Sequence, residues 1–143
     1  MATDPAHRGV SIDRVTAGRF AARNGRGGRI TIGAGDDADF TPVELLLAAL
    51  GGCTAIDVDI LTSRRAEPET FGVQVEAEKV RDSAGNHLAD IEVTFRVVFP
   101  PGEGGDAARA VLPDAVRRSR ERLCTVSRTI ELAIPVTSRV QAG

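Results

Sequence analysis

The sequence predicts an α+β fold with the element order β-β-β-α-β-β-α-β. Three observations predict it. One long apolar run, Leu45 to Leu61, follows helix-start chemistry. Two alternating runs, Phe71 to Val80 and Leu88 to Phe99, flank a glycine turn. Several short alternating segments come before the helix.

Taken in order, residues 1–9 read as a loose polar arm, and residues 10–143 as a single domain. Val10 to Val15 alternates as a strand, with Arg19 to Arg23 as its partner. Asn24-Gly25 and Gly27-Gly28 signal a turn, and Arg29 to Ile32 is a third strand. Gly33 to Phe40 is a loop. Thr41 then serves as N-cap, Pro42 takes the first helical position and Glu44 completes a capping box. Arg64-Arg65 close the helix where cations suit the C-terminus. A helix of roughly 22 residues is about 33 Å long. From Leu45 to Ile56 it is apolar or small on almost every face, so it must be covered on all sides. That makes it the buried spine of a homodimer.

The hairpin places Phe71, Val73, Val75 and Ala77 on one face, with Ile91, Val93, Phe95, Val97 and Phe99 in register. A second helical region runs from about Asp106 to Cys124, with Pro113 breaking it or starting its second part. Ile130, Leu132, Ile134 and Val136 alternate as a last strand, which Pro135 assigns to an edge or a bulge.

Composition narrows the function. Apolar residues make up 42% of the 143, with five Phe and no Trp or Tyr, so the core is aliphatic. A net charge of −2, from 18 basic and 20 acidic residues, leaves no footprint for nucleic acid or an anionic membrane. No stretch reads as long enough to span a bilayer, and the polar N-terminus has no secretory h-region. A cytoplasmic protein is the expectation. There, a pair of cysteines is more often catalytic or redox-sensing than structural. Cys53 and Cys124, with His7 and His87, show no zinc-ligand spacing, so no metal site is expected.

Two motifs carry a resemblance. PVELLLAALGGCTAIDV, Pro42 to Val58, resembles the signature of the OsmC/Ohr superfamily: a Pro-x-Glu-Leu start leading into an Ala- and Gly-rich helix with a central cysteine. RLCTVSRTI, Arg122 to Ile130, resembles that family's second cysteine motif. With the hairpin, second helix and last strand in the family's order, the resemblance covers roughly residues 10 to 140, and the GGCTAIDV wording is closer to the OsmC-like branch than to Ohr itself. The resemblance implies an intertwined homodimer with sites at the subunit interface. It also implies reduction of hydroperoxides, often organic, by a two-cysteine cycle without metal or flavin. Cys53 would be the peroxidatic thiol, Cys124 the resolving one, and an external dithiol the reductant.

The nucleophile in such a cycle is a thiolate, which burial disfavours, so a cation must reach it. The resemblance implies that an arginine of the N-terminal sheet region does this, assisted by a glutamate; here the expectation is Arg26, then Arg23 and Arg29, which flank the turn before the helix, with Arg19 also available. The family's glutamate position falls here on Val43, and Glu44 is one residue later. Glu44 and Cys53 are separated by about 13.5 Å along the helix and face opposite ways, so Glu44 serves that thiol only from a partner subunit. Its simpler role is the capping box. Asp57 lies on the same helix face as Cys53. It either positions an arginine or is a satisfied carboxylate or dimer contact. The run Arg117 to Arg122 reads as a solvated helix face. The alternative to an enzyme is a lipid- or small-molecule-binding protein, or a redox-sensing stress protein, of the same fold.

Overall fold

The computed structural model describes residues 5–141 and 143. The chain divides into two compact units, Met1–Leu46 and Leu47–Gly143. Of the expected arm, residues 1–4 lie outside the described residues, and 5–9 form a turn followed by exposed coil.

The first unit carries an antiparallel meander in the order β1-β2-β3: β1 Ser11–Thr16, β2 Arg19–Arg23 and β3 Arg29–Ile32. Gly18 has a φ of 69°, which suits glycine at the β1–β2 turn. The next turn is built on Asn24, whose Oδ1 accepts from the backbone N–H of Arg26 (3.0 Å) and of Gly28 (2.9 Å). An Asn side chain here does the work of a backbone turn. Beyond β3 the loop returns to the sheet through a parallel bridge between Ile32 and Phe40. Arg19 holds that loop through ion pairs with both Asp37 and Asp39.

Helix α1 spans Pro42–Ser63. Its start is the predicted capping box. The Thr41 N–H donates to Glu44 Oε1 (2.8 Å), and the Glu44 N–H donates to Thr41 Oγ1 (3.2 Å). At the other end Arg65 Nη1 donates to the Leu61 carbonyl (3.1 Å), covering one of the last orphan acceptors. Within the single chain only one stripe of α1 is buried: Leu50, Gly51, Thr54, Val58 and Thr62. Ile56 and Ile60 are exposed. The all-round burial expected of this helix is thus not reached inside one chain. By length and composition α1 would also suffice to cross a membrane, which corrects the expectation that no stretch does. The Asp57 and Asp59 carboxylates and the packing of Gly51 on a β-strand suit a core helix instead.

In the second unit β4 Thr70–Asp82 and β5 Gly85–Val98 form one long antiparallel hairpin, with Asp82 paired to Gly85 across a two-residue loop. Phe71, Val73, Val75 and Ala77 share the half-buried face, as the alternation predicts. Pairing slips between Glu76 and Glu78, and Asp90 opposite this point takes a φ of 52°. That is a bulge, a device that re-aims side chains beside functional sites. Gly51 packs against this sheet so closely that a Cβ there would lie 2.7 Å from Val75 Cγ2.

Helix α2 spans Glu103–Arg118 and continues through Pro113. The predicted break does not occur, because one interior Pro removes a single i→i−4 bond from a helix with turns on both sides. The helix instead changes pitch at its end. Ser119–Leu123 is a π-helical turn, closed by the Cys124 N–H on the Ser119 carbonyl at 2.8 Å. Helix α3, Thr125–Leu132, follows and takes in the start of the strand expected over Ile130 to Val140, which does not form. Three features explain this correction. Cys124 caps a new helix, Val126 and Ile130 are half-buried one turn apart, and Ala133 ends the helix at a φ of 50° with Pro135 just beyond. Residues 134–141 form no regular element and are exposed, with Val136 at 89%. The architecture remains α+β.

Candidate active site

The two cysteines meet within the second unit. Helix α1 presents Cys53 and, one turn later, Asp57. The α2–α3 junction presents Cys124. The two sulfurs and an Asp57 carboxylate oxygen all lie within 4.8 Å of one another. Both thiols are free; Cys53 is half-buried and Cys124 has no exposed surface.

The π-helical turn explains how Cys124 arrives there. Ser119, the first residue of that turn, is fully buried, although its neighbours in the Arg117 to Arg122 run are exposed. Its hydroxyl donates to Asp57 Oδ2 (2.8 Å) and is paired with Thr54 Oγ1 (2.7 Å). Both contacts tie α1 to the end of α2. π-turns of this kind interrupt helices mainly at functional sites. Just after it, Cys124 is the N-cap of α3, and its sulfur accepts from the Ser127 N–H at 3.3 Å.

These surroundings act on Cys124 in opposing ways. Burial pushes its thiol up to about 11, with the neighbouring Cys53 and Asp57 adding to the rise, while the hydrogen bond from the Ser127 N–H pulls it down. Cys124 is completely buried, so desolvation is the dominant cause. The chemistry open to the pair is thiol–disulfide exchange: one sulfur takes an oxidising equivalent and the other displaces it.

The remaining expected residues lie as follows. Asp57 is a satisfied carboxylate, through Ser119, beside the thiols. Glu44 is exposed, and its carboxylate closes the capping box; the Thr41 backbone N–H, then the Thr41 side chain, hold its acidity on the strong side of normal. Arg23 pairs with Asp13 and faces Arg29 across the β2–β3 register. Among the described residues no ion pair to a carboxylate engages Arg26 or Arg29. Sequence inspection missed Ser119, Thr54 and Ser127. Ser119 sat in a run that looked solvated, and its two contacts span 62 and 65 positions.

A cavity of about 520 Å³ opens on the same unit. Leu50, Ile91, Val93, Phe95 and Ile130 give it apolar walls, and Thr54 and Ser127 bring it next to the cysteine neighbourhood.

Comparison with known proteins agrees with this architecture. The profile of the OsmC-like protein family matches residues 35–139, most of the chain, and the chain belongs to that family. Protein YhfA of Escherichia coli K12 is 34% identical over 105 residues, 73% of each chain. The OsmC like protein of Mycoplasma pneumoniae shares the fold, with a TM-score of 0.69 at 16% identity, covering 90% of this chain and 89% of that one. The organic hydroperoxide resistance protein OhrB of Bacillus subtilis shares it too, with a TM-score of 0.53 at 14% identity over 85% and 90% of the two chains.

Proposed function

We propose that the protein is a thiol-dependent hydroperoxide reductase, with Cys53 as the peroxidatic and Cys124 as the resolving cysteine. The observation that carries this is the approach of the two sulfurs to within 4.8 Å. A disulfide needs about 2.05 Å, so joining them asks for a movement that side-chain rotation and a shift at the π-turn would supply. The half-buried Cys53 is the one a peroxide can reach, and the fully buried Cys124, with its sulfur beside that of Cys53, is placed for the second role.

The cycle balances as follows. The Cys53 thiolate attacks the distal oxygen of R–O–O–H, the O–O bond breaks, Cys53 becomes a sulfenic acid and the alkoxide takes a proton to leave as alcohol. The Cys124 sulfur attacks the Cys53 sulfur, its proton leaves with the hydroxyl as water, and a disulfide forms. An external dithiol supplies two electrons and two protons to restore the thiols. The activating cation is assigned to Arg26, with Arg23 and Arg29 next. Among the described residues Arg19 and Arg23 are held in carboxylate ion pairs while Arg26 and Arg29 are in none, which supports placing Arg26 first. Any catalytic contribution of Glu44 comes from a second subunit. The exposed apolar face of α1, with Val43, Leu46, Ile56 and Ile60, supports a homodimer. The compartment proposed is the cytoplasm.

Cys124→Ser treated with one equivalent of an organic hydroperoxide should stop at a sulfenic acid on Cys53, trapped as a dione adduct in a peptide map. An adduct on neither cysteine, with peroxide unconsumed, would overturn the assignment. The cavity favours a second reading, a protein that binds an apolar small molecule without turnover. In that case peroxide leaves both wild-type thiols intact, while an apolar fluorescent probe still binds.

A further inference from the structure

We propose that reduced Cys53 and Cys124, together with Asp57, form a binding site for one thiophilic divalent cation of the zinc type.

The donor set comes first. Two sulfurs and a carboxylate oxygen are ligands that zinc-type ions take, and the three atoms here lie within 4.8 Å of one another. Zinc–sulfur bonds are about 2.3 Å, so two sulfurs on one tetrahedral ion stand roughly 3.8 Å apart. Side-chain rotation of under about 1 Å closes that difference. Two ligands come from one face of α1, one turn apart, and the third from the N-cap of α3. The i, i+4 pair on a helix is a recurrent way to hold a metal.

The surroundings are those of a supported site. A carboxylate ligand is usually oriented by its own hydrogen-bond donor. Asp57 has one: the fully buried Ser119 hydroxyl, itself fixed by Thr54. Among the described residues no ion pair offers Asp57 a positive partner. A divalent cation would supply one, and two thiol protons would leave as it bound. Three protein ligands leave a fourth position for water. The long sequence separation of Cys53 and Cys124 hides the site from any spacing rule.

This goes beyond the peroxide chemistry and does not require it, since binding needs only two reduced thiols and the carboxylate. Metal and disulfide are mutually exclusive states of the same sulfurs, so a bound ion would shield both from oxidation.

The test is titration of the reduced full chain with Co²⁺ without oxygen, followed by absorbance. Expected are thiolate-to-cobalt charge-transfer and tetrahedral bands that saturate at one ion per chain and vanish on adding one equivalent of Zn²⁺. The bands should be absent in Cys53→Ser and in Cys124→Ser. They should be absent also in wild type oxidised to the disulfide, a control that does not depend on a variant folding. Asp57→Asn should bind at least about tenfold more weakly. No charge-transfer band in the reduced wild type, or a band that survives in either cysteine variant, would overturn the proposal. Cobalt binding without peroxide consumption would sink only the enzymatic reading; peroxide consumption without the bands would sink only this one.

Discussion

Ser119, the first residue of a π-helical turn, donates a 2.8 Å hydrogen bond to the carboxylate of Asp57 on α1. The same hydroxyl meets Thr54, so one buried serine ties the helix bearing Cys53 to the turn that delivers Cys124. The position of the second sulfur therefore depends on a contact that neither cysteine makes.

Ser119→Ala removes that tie and leaves the Thr54 hydroxyl buried without its partner. The expected cost is about 1–3 kcal/mol, read as a lower urea midpoint with an unchanged m-value. Disulfide formation after peroxide should also slow, because the π-turn loses its anchor to α1. A double-mutant cycle with Thr54→Val should show coupling of the two sites; strict additivity would contradict the network.

Gly51 and Gly52 are adjacent but should respond in opposite ways. Gly51→Ala drives a Cβ to 2.7 Å from Val75, in a buried contact between α1 and β4. Overpacking of this kind costs about 1–3 kcal/mol, against a gain of about 1 kcal/mol in helix propensity. Val75→Ala in the same chain should recover part of the loss. A Cβ on Gly52 meets nothing within 4 Å, so Gly52→Ala should not lower the melting temperature of the chain. Equal destabilisation by the two substitutions would contradict the packing described.

The Cys124 thiol gives a pH dependence of definite sign. Burial raises its folded pKa from 9.0 to about 11, so the folded state holds this proton when the unfolded state has released it. The associated stability is fully present below pH 9 and is lost as pH rises towards about 11. Chemical denaturation across that interval should show the decline, and Cys124→Ser should lack that part of it. Alkylation of Cys124, followed by peptide mapping, should accelerate with a midpoint near 11. A midpoint at the ordinary cysteine value would contradict the burial argument.

Helix α1 should depend on its first turn. Thr41→Ala removes the side-chain acceptor of the capping box and should cost about 1 kcal/mol. The Glu44 carboxyl is held on the acidic side of normal by Thr41, so its contribution is present above the ordinary glutamate range and fades as pH falls through the lower folded value. The stability gap between wild type and Glu44→Gln should therefore narrow in acid; a gap constant from neutral to acid pH would remove the capping role.

Local patterns carried most of the fold. Alternation, the Asn24 and Gly85 turns and the Thr41–Glu44 box identify β1 to β5 and α1 within a few residues, because each is decided by neighbours in sequence. The C-terminal region was less legible. Alternation of Ile130, Leu132, Ile134 and Val136 points to a strand, but the contact that decides the matter is the Cys124 sulfur capping α3, and cysteine is not a usual cap. Pro113 points to a break, but it removes only one hydrogen bond from a helix with turns on both sides. Of the site, both cysteines and Asp57 were legible as residue types. Ser119 and Thr54 were not, because their roles arise only when α1 meets the end of α2.

The most direct test of the thiol chemistry is a count of free thiols on fully reduced wild type before and after one equivalent of an organic hydroperoxide. Both thiols should disappear together, with mass spectrometry showing a single Cys53–Cys124 linkage within one chain and no added oxygen. Two thiols still present at micromolar peroxide, with the peroxide intact, would contradict it.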